Sequence, residues 1–335
     1  MIKISKWLIV LSFTIGLGSF TACSSDDDDD LVGNWVSIGD FPETSRFGAV
    51  VFTIGNYAYV GTGKNTDEKV CFSDFYRYDG NSWSEISNFP GEARYMAVAF
   101  SVNGKGYVGC GANYKDTRLS DFYEYDPELN TWTQINDFKG SARISAVAFS
   151  IGEYGYVGTG YDGNTKLDFY KYDPSSGEWS DIANISTKRR DAVAFVLNDK
   201  GYVVTGVNNG TYLKDFWEYN PETDKWTEKR KIADVSDESY DDDYEIVCSG
   251  AVSFTMGGRG YVATGGAGSA GYRTWEYNPT TDLWVEKSNF EGSPRLSAVG
   301  FSINDQGYVA TGRSSGYYFD DVWSFHPNDE QNDDD

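Results

Sequence analysis

Apolar and polar positions alternate along this chain in short runs and never settle into a helical period. From Arg94 onward, Ala97-Val98-Ala99-Phe100 alternates small and large side chains, a turn intervenes, and Gly106-Tyr107-Val108 opens a second run. Asp121-Phe-Tyr-Glu-Tyr forms a third, then come the turn residues Asp126-Pro-Glu-Leu-Asn and a fourth run carrying Trp132. A period of two, interrupted by Gly, Asp, Asn and Pro, predicts four short antiparallel strands, a to d. No stretch supports a helix longer than a turn.

The same unit recurs. Gly/Ala-Tyr-Val-x-x-Gly occurs at Ala58 to Gly63, Gly106 to Gly111, Gly155 to Gly160, Gly201 to Gly206, Gly260 to Gly265 and Gly307 to Gly312. Its tyrosines, Tyr59, Tyr107, Tyr156, Tyr202, Tyr261 and Tyr308, lie 48, 49, 46, 59 and 47 residues apart. A period near fifty residues with four strands per unit resembles the kelch repeat, whose units are blades of a β-propeller. The resemblance implies an all-β fold, a six-bladed kelch β-propeller over residues 32–328.

Strand a is built from small residues such as Ala97, Ala99, Ala146 and Ala148, as suits strands crowded at a propeller axis. Trp83, Trp132, Trp179, Trp226 and Trp284 open strand d and are large enough to fill the space between blades. The sixth unit stops after strand c, while Asn34-Trp35-Val36-Ser37-Ile38 matches strand d. The N-terminal strand is therefore expected to complete blade six, which closes the ring and removes its open edges.

The first residues read as an address. Lys3 and Lys6 precede the apolar run Trp7 to Phe20, whose 14 residues are too few to span a bilayer. Thr21-Ala22-Cys23 resembles the lipobox at which bacterial lipoproteins are cleaved and lipidated, so residues 1–22 are expected to be a signal peptide and Cys23 the acylated residue. Residues 23–31, with the run Asp26 to Asp30, form an acidic tether resembling an export signal to the outer face of the outer membrane. Residues 329–335 form an acidic tail. The expected location is a lipid-anchored place on the outer membrane, facing outward.

Composition narrows the chemistry. With 28 basic and 51 acidic residues, the net charge of −23 argues against a nucleic-acid partner. Some kelch propellers of galactose-oxidase type use copper held by two His, and a single His excludes that. The one present, His326, occupies a position that is Asp or Asn in the other units and is expected to sit in a turn.

The loops between strands b and c, and between d and a, vary from unit to unit and share one face, where function is expected. That face carries Arg46, Arg94, Arg143, Arg189 and Arg295, with Cys248 at the fifth position. It also carries Tyr114, Tyr161, Asn208, Tyr212, Tyr272 and Tyr317, residue types suited to sugar rings or to a protein partner. Strand c begins with Asp74, Asp121, Asp168, Asp215 and Asp321, and the unit that lacks the Arg also lacks the Asp and has Arg273. Joint loss is what a structural Arg–Asp pairing would leave behind, so the arginines are read first as frame and second as an anion-binding ring.

The long insertion Ala233 to Val247 is rich in carboxylates from Asp234 to Glu245. Calcium capture there is conceivable, but the spacing is not that of an EF-hand and a solvated loop is the expected state. No other cofactor is implied. Besides Cys23, the cysteines Cys71, Cys110 and Cys248 leave at least one free thiol or an intermolecular bond, and a Cys71–Cys110 bridge between neighbouring blades is one open pairing.

The sequence thus points to a surface lipoprotein that binds a glycan or an envelope protein. The alternative is a carbohydrate-active enzyme resembling bacterial sialic-acid mutarotases, for which Glu92 with Arg94, or Arg118, supplies candidate charged pairs without assigned roles.

Overall fold

The computed structural model describes residues 31–332. The signal segment, Cys23, the tether up to Asp30 and the last three residues lie outside the described residues. Six four-stranded antiparallel sheets make up the described residues, with three short two-stranded ladders between them. In blade two, Val98–Val102, Lys105–Gly109, Phe122–Asp126 and Thr131–Ile135 pair in chain order as strands a to d. Blades one, three, four and five repeat the order from Val50–Ile54, Val147–Ile151, Val193–Leu197 and Ser249–Met256.

Blade six is assembled from both ends of the described chain. Val299–Ile303, Gln306–Ala310 and Asp321–Glu330 supply strands a to c, and Val32–Asp40 supplies strand d. The expected closure is therefore present, with Trp35 opposite Phe325 and Val36 opposite Ser324. Trp35 is fully buried, its indole N–H donates to Thr274 Oγ1 of blade five at 3.2 Å, and its ring meets Phe290 edge-on at 5.0 Å.

His326 departs from expectation for a reason rooted in this closure. In the other blades the equivalent side chain caps the turn into strand d; Asp126 Oδ1, for example, accepts from the backbone N–H groups of Glu128 and Leu129. Blade six needs no such turn, because its strand d comes from the opposite end of the chain. His326 therefore lies inside a strand opposite Asn34, and that strand runs to Glu330, past the expected end of the propeller.

Packing between blades follows from the repeat. Phe100 of strand a stacks on Tyr107 across the blade at 5.0 Å, and the same pair recurs as Phe52 with Tyr59 and Phe149 with Tyr156. The Phe ring also covers strand b of the next blade: a Cβ built on Gly106 would lie 2.1 Å from Phe52, so only glycine fits there. Trp132 closes the outer gap, contacting Phe75 and Phe89 of blade one and Tyr125 of its own. Nearest the axis, alanines of the six a strands line a narrow channel.

Two circuits of backbone hydrogen bonds join the blades at the end where each strand a begins. Met96 N–H donates to Gly48, Ser145 to Met96, Asp191 to Ser145, Gly250 to Asp191, Ser297 to Gly250, and Gly48 back to Ser297, all between 2.8 and 3.1 Å. Each of these residues has a positive φ, from 51° at Met96 to 64° at Gly250. In the second circuit the last glycine of each repeat string donates to the next blade, from Gly63 to the Arg94 carbonyl through to Gly312, which returns to Arg46.

Cys71, Cys110 and Cys248 are buried free thiols, so the Cys71–Cys110 bridge left open by the sequence is not formed. Among the described residues no helix is long and apolar enough to cross a membrane.

The closing strand gives the first prediction. Trp35→Ala is expected to cost about 3–5 kcal/mol, the range for deleting a buried large aromatic, read as a lowered urea midpoint. An unchanged midpoint would show that the closing strand contributes nothing to stability.

Candidate functional site

Arginine begins each strand a because the repeat needs a buried cation at that point. Arg46, Arg94, Arg143, Arg189 and Arg295 are all 0% exposed. Arg94 is typical: both terminal nitrogens bond Asp121 at 2.8 Å, Nη1 also reaches the Cys110 carbonyl at 2.9 Å, and Nε bonds the Glu92 carbonyl at 2.9 Å. Its guanidinium carbon lies 4.6 Å from the Phe89 ring centroid. Arg46, Arg143 and Arg295 hold Asp74, Asp168 and Asp321 through both oxygens in the same way, and Arg189 holds Asp215 through one.

These five guanidinium groups lie buried inside the blades, not exposed on the loop face where they were expected. Every guanidinium is spent on a carboxylate and a carbonyl inside the blade, as the joint Arg and Asp loss in blade five implied. Glu92 gives Arg94 its backbone carbonyl while its carboxylate accepts from Asn113, so they form no acid–base couple. Burial pushes the Asp168 carboxyl up, but the bonds and charge of Arg143 outweigh it and hold the group below the usual carboxylate range.

The open site lies one residue further along each strand. Phe47, Tyr95, Ile144, Arg190, Ser249 and Leu296 follow the buried Arg or Cys248, and each is paired across with the residue after the repeat glycine: Lys64, Ala112, Tyr161, Val207, Gly266 and Arg313. Residues of all six blades surround a cavity of about 430 Å³ there, floored by Met96, Ser145, Asp191, Gly250 and Ser297 of the backbone circuit. This is the axial mouth of the propeller, on the face of the variable loops.

Three cations and two carboxylates line the mouth: Lys64, Arg190, Arg313, Asp116 and Asp191. Lys64 bonds Asp116 at 3.1 Å and lies 4.3 Å from the Tyr95 ring centroid. Asp116 is held below the usual carboxylate range, first by the Tyr95 hydroxyl, which donates to it at 2.7 Å, and then by Lys64. Arg190 faces Asp191 at 3.5 Å and the Tyr161 ring at 5.2 Å. Arg313 lies 4.2 Å from the Phe47 ring centroid and, among the described residues, has no carboxylate within ion-pair distance.

Of the aromatic and amide residues expected on this face, Tyr114 and Tyr161 lie beside the mouth, against cations that line it, without lining the cavity themselves. Tyr114 lies 5.1 Å from the Lys64 ammonium, and Tyr161 sits between Arg190 and Arg118, the latter at 5.0 Å. Asn208 and Tyr212 are engaged between blades, accepting from Thr165 and from the Gly268 N–H. Tyr317 is 72% exposed and sits beside a separate shallow pocket.

Tyr272 borders a second cavity of about 600 Å³ in blade five. It lies where the Arg–Asp pair is missing, with Cys248, Thr264, Ile246, Val262 and Trp275 as walls. Burial pushes the Cys248 thiol up to about 12, which keeps it neutral. Arg273, at the Asp position, turns to Glu286 and Glu245 instead. In blades four and six a tryptophan donates to the strand c aspartate, Trp217 to Asp215 and Trp323 to Asp321, whereas the buried indole N–H of Trp275 has no partner.

The KLHDC2/KLHL20/DRC7 Kelch-repeats domain matches residues 48–258, more than half of the chain. The chain belongs to the kelch-repeat family. A solved structure, that of YjhT, shares the fold at 15% identity, with a TM-score of 0.68 over 84% of this chain and 95% of that one. No curated protein matches the sequence.

Within the kelch frame, the mouth residues Lys64, Arg190, Arg313, Tyr95, Asp116 and Asp191 escaped the sequence reading. Four of them flank the fixed residues directly, one place after the buried Arg or after the repeat glycine. Comparing those two columns across the six units would have exposed the cations. Asp191 occupies the floor column, and only Asp116 sits deep in a variable loop.

The buried pairs predict two outcomes. Arg143→Met is expected to cost about 3–5 kcal/mol because it leaves Asp168 buried without its cation, and adding Asp168→Leu should recover most of that loss. Since the Asp168 carboxyl is depressed in the folded state, its stabilisation is complete above the unfolded value of about 3.9 and is lost as pH falls below it. Urea midpoints from pH 5 down to 2 should therefore fall more steeply for the parent than for the double variant.

Proposed function

We propose that this kelch propeller is a lipid-anchored surface module that binds a carboxylate-bearing glycan in its axial mouth. The observation carrying the reading is the cationic, aromatic-walled mouth on a chain of net charge −23. Arg313, resting on Phe47 without a carboxylate partner, is a ready donor pair for a sugar carboxylate. Tyr95 in the mouth, with Tyr114 and Tyr161 beside it, offers an aromatic surface on which a pyranose ring can stack. Local positive potential on a negative molecule favours a small anion and disfavours extended polyanions.

Topology keeps the N-terminal end of the propeller away from the mouth. Strand d runs from the face of the c–d turns toward the face of the variable loops, so Val32, at its start, lies on the side away from the mouth. The lipobox resemblance of Thr21-Ala22-Cys23 is the ground for the anchor itself.

N-acetylneuraminate and glucuronate, titrated against the full-length protein, are expected to bind with an affinity that falls as salt rises, while glucose binds far more weakly. Arg313→Ala should weaken binding by about tenfold or more, the loss of one charge-assisted contact of roughly 1.5–3 kcal/mol. Equal affinity for glucose and glucuronate would sink the proposal. Accelerated exchange between sugar anomers, followed by NMR in the same samples, would move the reading from binder to catalyst.

A further inference from the structure

The insertion preceding blade five contradicts the solvated loop its composition suggests. Asp241 within it is 0% exposed. Its Oδ2 accepts from Ser236 Oγ at 2.9 Å and from the Val235 N–H at 3.4 Å, but its Oδ1 is buried with no partner. Asp234 and Asp242 stand beside it, and one oxygen from each of the three carboxylates lies within 4.8 Å of the other two.

That arrangement is unusual for this molecule. Every other buried Lys, Arg or Asp among the described residues has an ion-pair partner: the five arginines and Asp215 in the blades, and Lys64 with Asp116. Among the described residues no Lys, Arg or His pairs with Asp234, Asp241 or Asp242. A carboxylate removed from water without a cation is strongly disfavoured, and two neighbouring carboxylates raise the cost further.

We propose that Asp234, Asp241 and Asp242 bind a single calcium ion. The donor set is all oxygen, without the imidazole or thiolate that selects transition metals. It sits on an irregular loop rather than a rigid element, which suits the variable coordination of calcium better than the strict octahedron of magnesium. The ion supplies the missing charge beside Asp241 Oδ1 and pins the insertion. The end of that insertion, Tyr244 to Val247, forms a wall of the blade-five cavity, so the ion also fixes that wall.

The test is calorimetric titration of EGTA-stripped, full-length protein with CaCl₂ in 150 mM NaCl, together with melting curves. One calcium per chain and a raised melting temperature are expected, with magnesium at least tenfold weaker. Asp241→Asn should weaken binding about a hundredfold. Asp234→Asn and Asp242→Asn, which alter exposed side chains and leave the fold intact, should each weaken it about tenfold. Asp237→Asn, in the same loop but outside the cluster, should leave it unchanged. No response at 10 mM CaCl₂ would overturn the proposal. Equal binding of magnesium, or loss of affinity in Asp237→Asn matching that of the cluster variants, would overturn it in favour of diffuse attraction to an acidic surface.

Discussion

The closed circuit of backbone bonds around the axis is the constraint on which the rest depends. Each blade donates one N–H to the blade before it, and the sixth bond returns to the first. Such a circuit exists only if the chain turns sharply just after the buried arginine, and the positive φ at Gly48, Met96, Ser145, Asp191, Gly250 and Ser297 is that turn. Only two of the six are glycine, so four ordinary side chains are held in a conformation that costs free energy in isolation. The neighbouring buried Arg–Asp pairs fix the backbone on either side and make the strained conformation the only one available.

Much of this was legible from particular residues. The tyrosine spacing implied the number of blades, and Trp35 with its missing counterpart after His326 implied the closure. Simultaneous replacement of Arg and Asp in one unit revealed a pairing before any distance was known, because two residues that change together at equivalent positions share a physical task. What escaped the sequence was orientation. Arg94 and Tyr95 are adjacent, yet one is wholly interior and the other lines the mouth, since the turn that follows throws alternate side chains to opposite sides. Asp241 escaped as well: composition describes a loop as a whole and says nothing about which single carboxylate is tucked inside it.

Blade five shows how a repeat acquires individuality. Once Cys248 replaced arginine, the space that a guanidinium and a carboxylate would fill became a cavity, and Trp275 lost the acceptor its counterparts keep. The adjoining insertion does not fill that space but walls it. Five blades hold the toroid rigid, which lets the remaining one carry an irregular loop and an internal void without loosening the ring. Departures from the pattern are thus concentrated where the scaffold can tolerate them.

The split make-up of blade six also bears on how the protein is made. Its outermost strand, Val32–Asp40, is the first strand of the propeller to be synthesised, yet its partner, Asp321–Glu330, is the last. The earliest strand of the propeller must therefore wait, unpaired, until the other strands of the ring have been delivered. A chain clipped or stalled before Asp321 leaves Trp35 without its pocket and two sheet edges open to aggregation or proteolysis. Sealing the toroid thereby ties the first strand of the fold to the last, so the ring closes only once both are present.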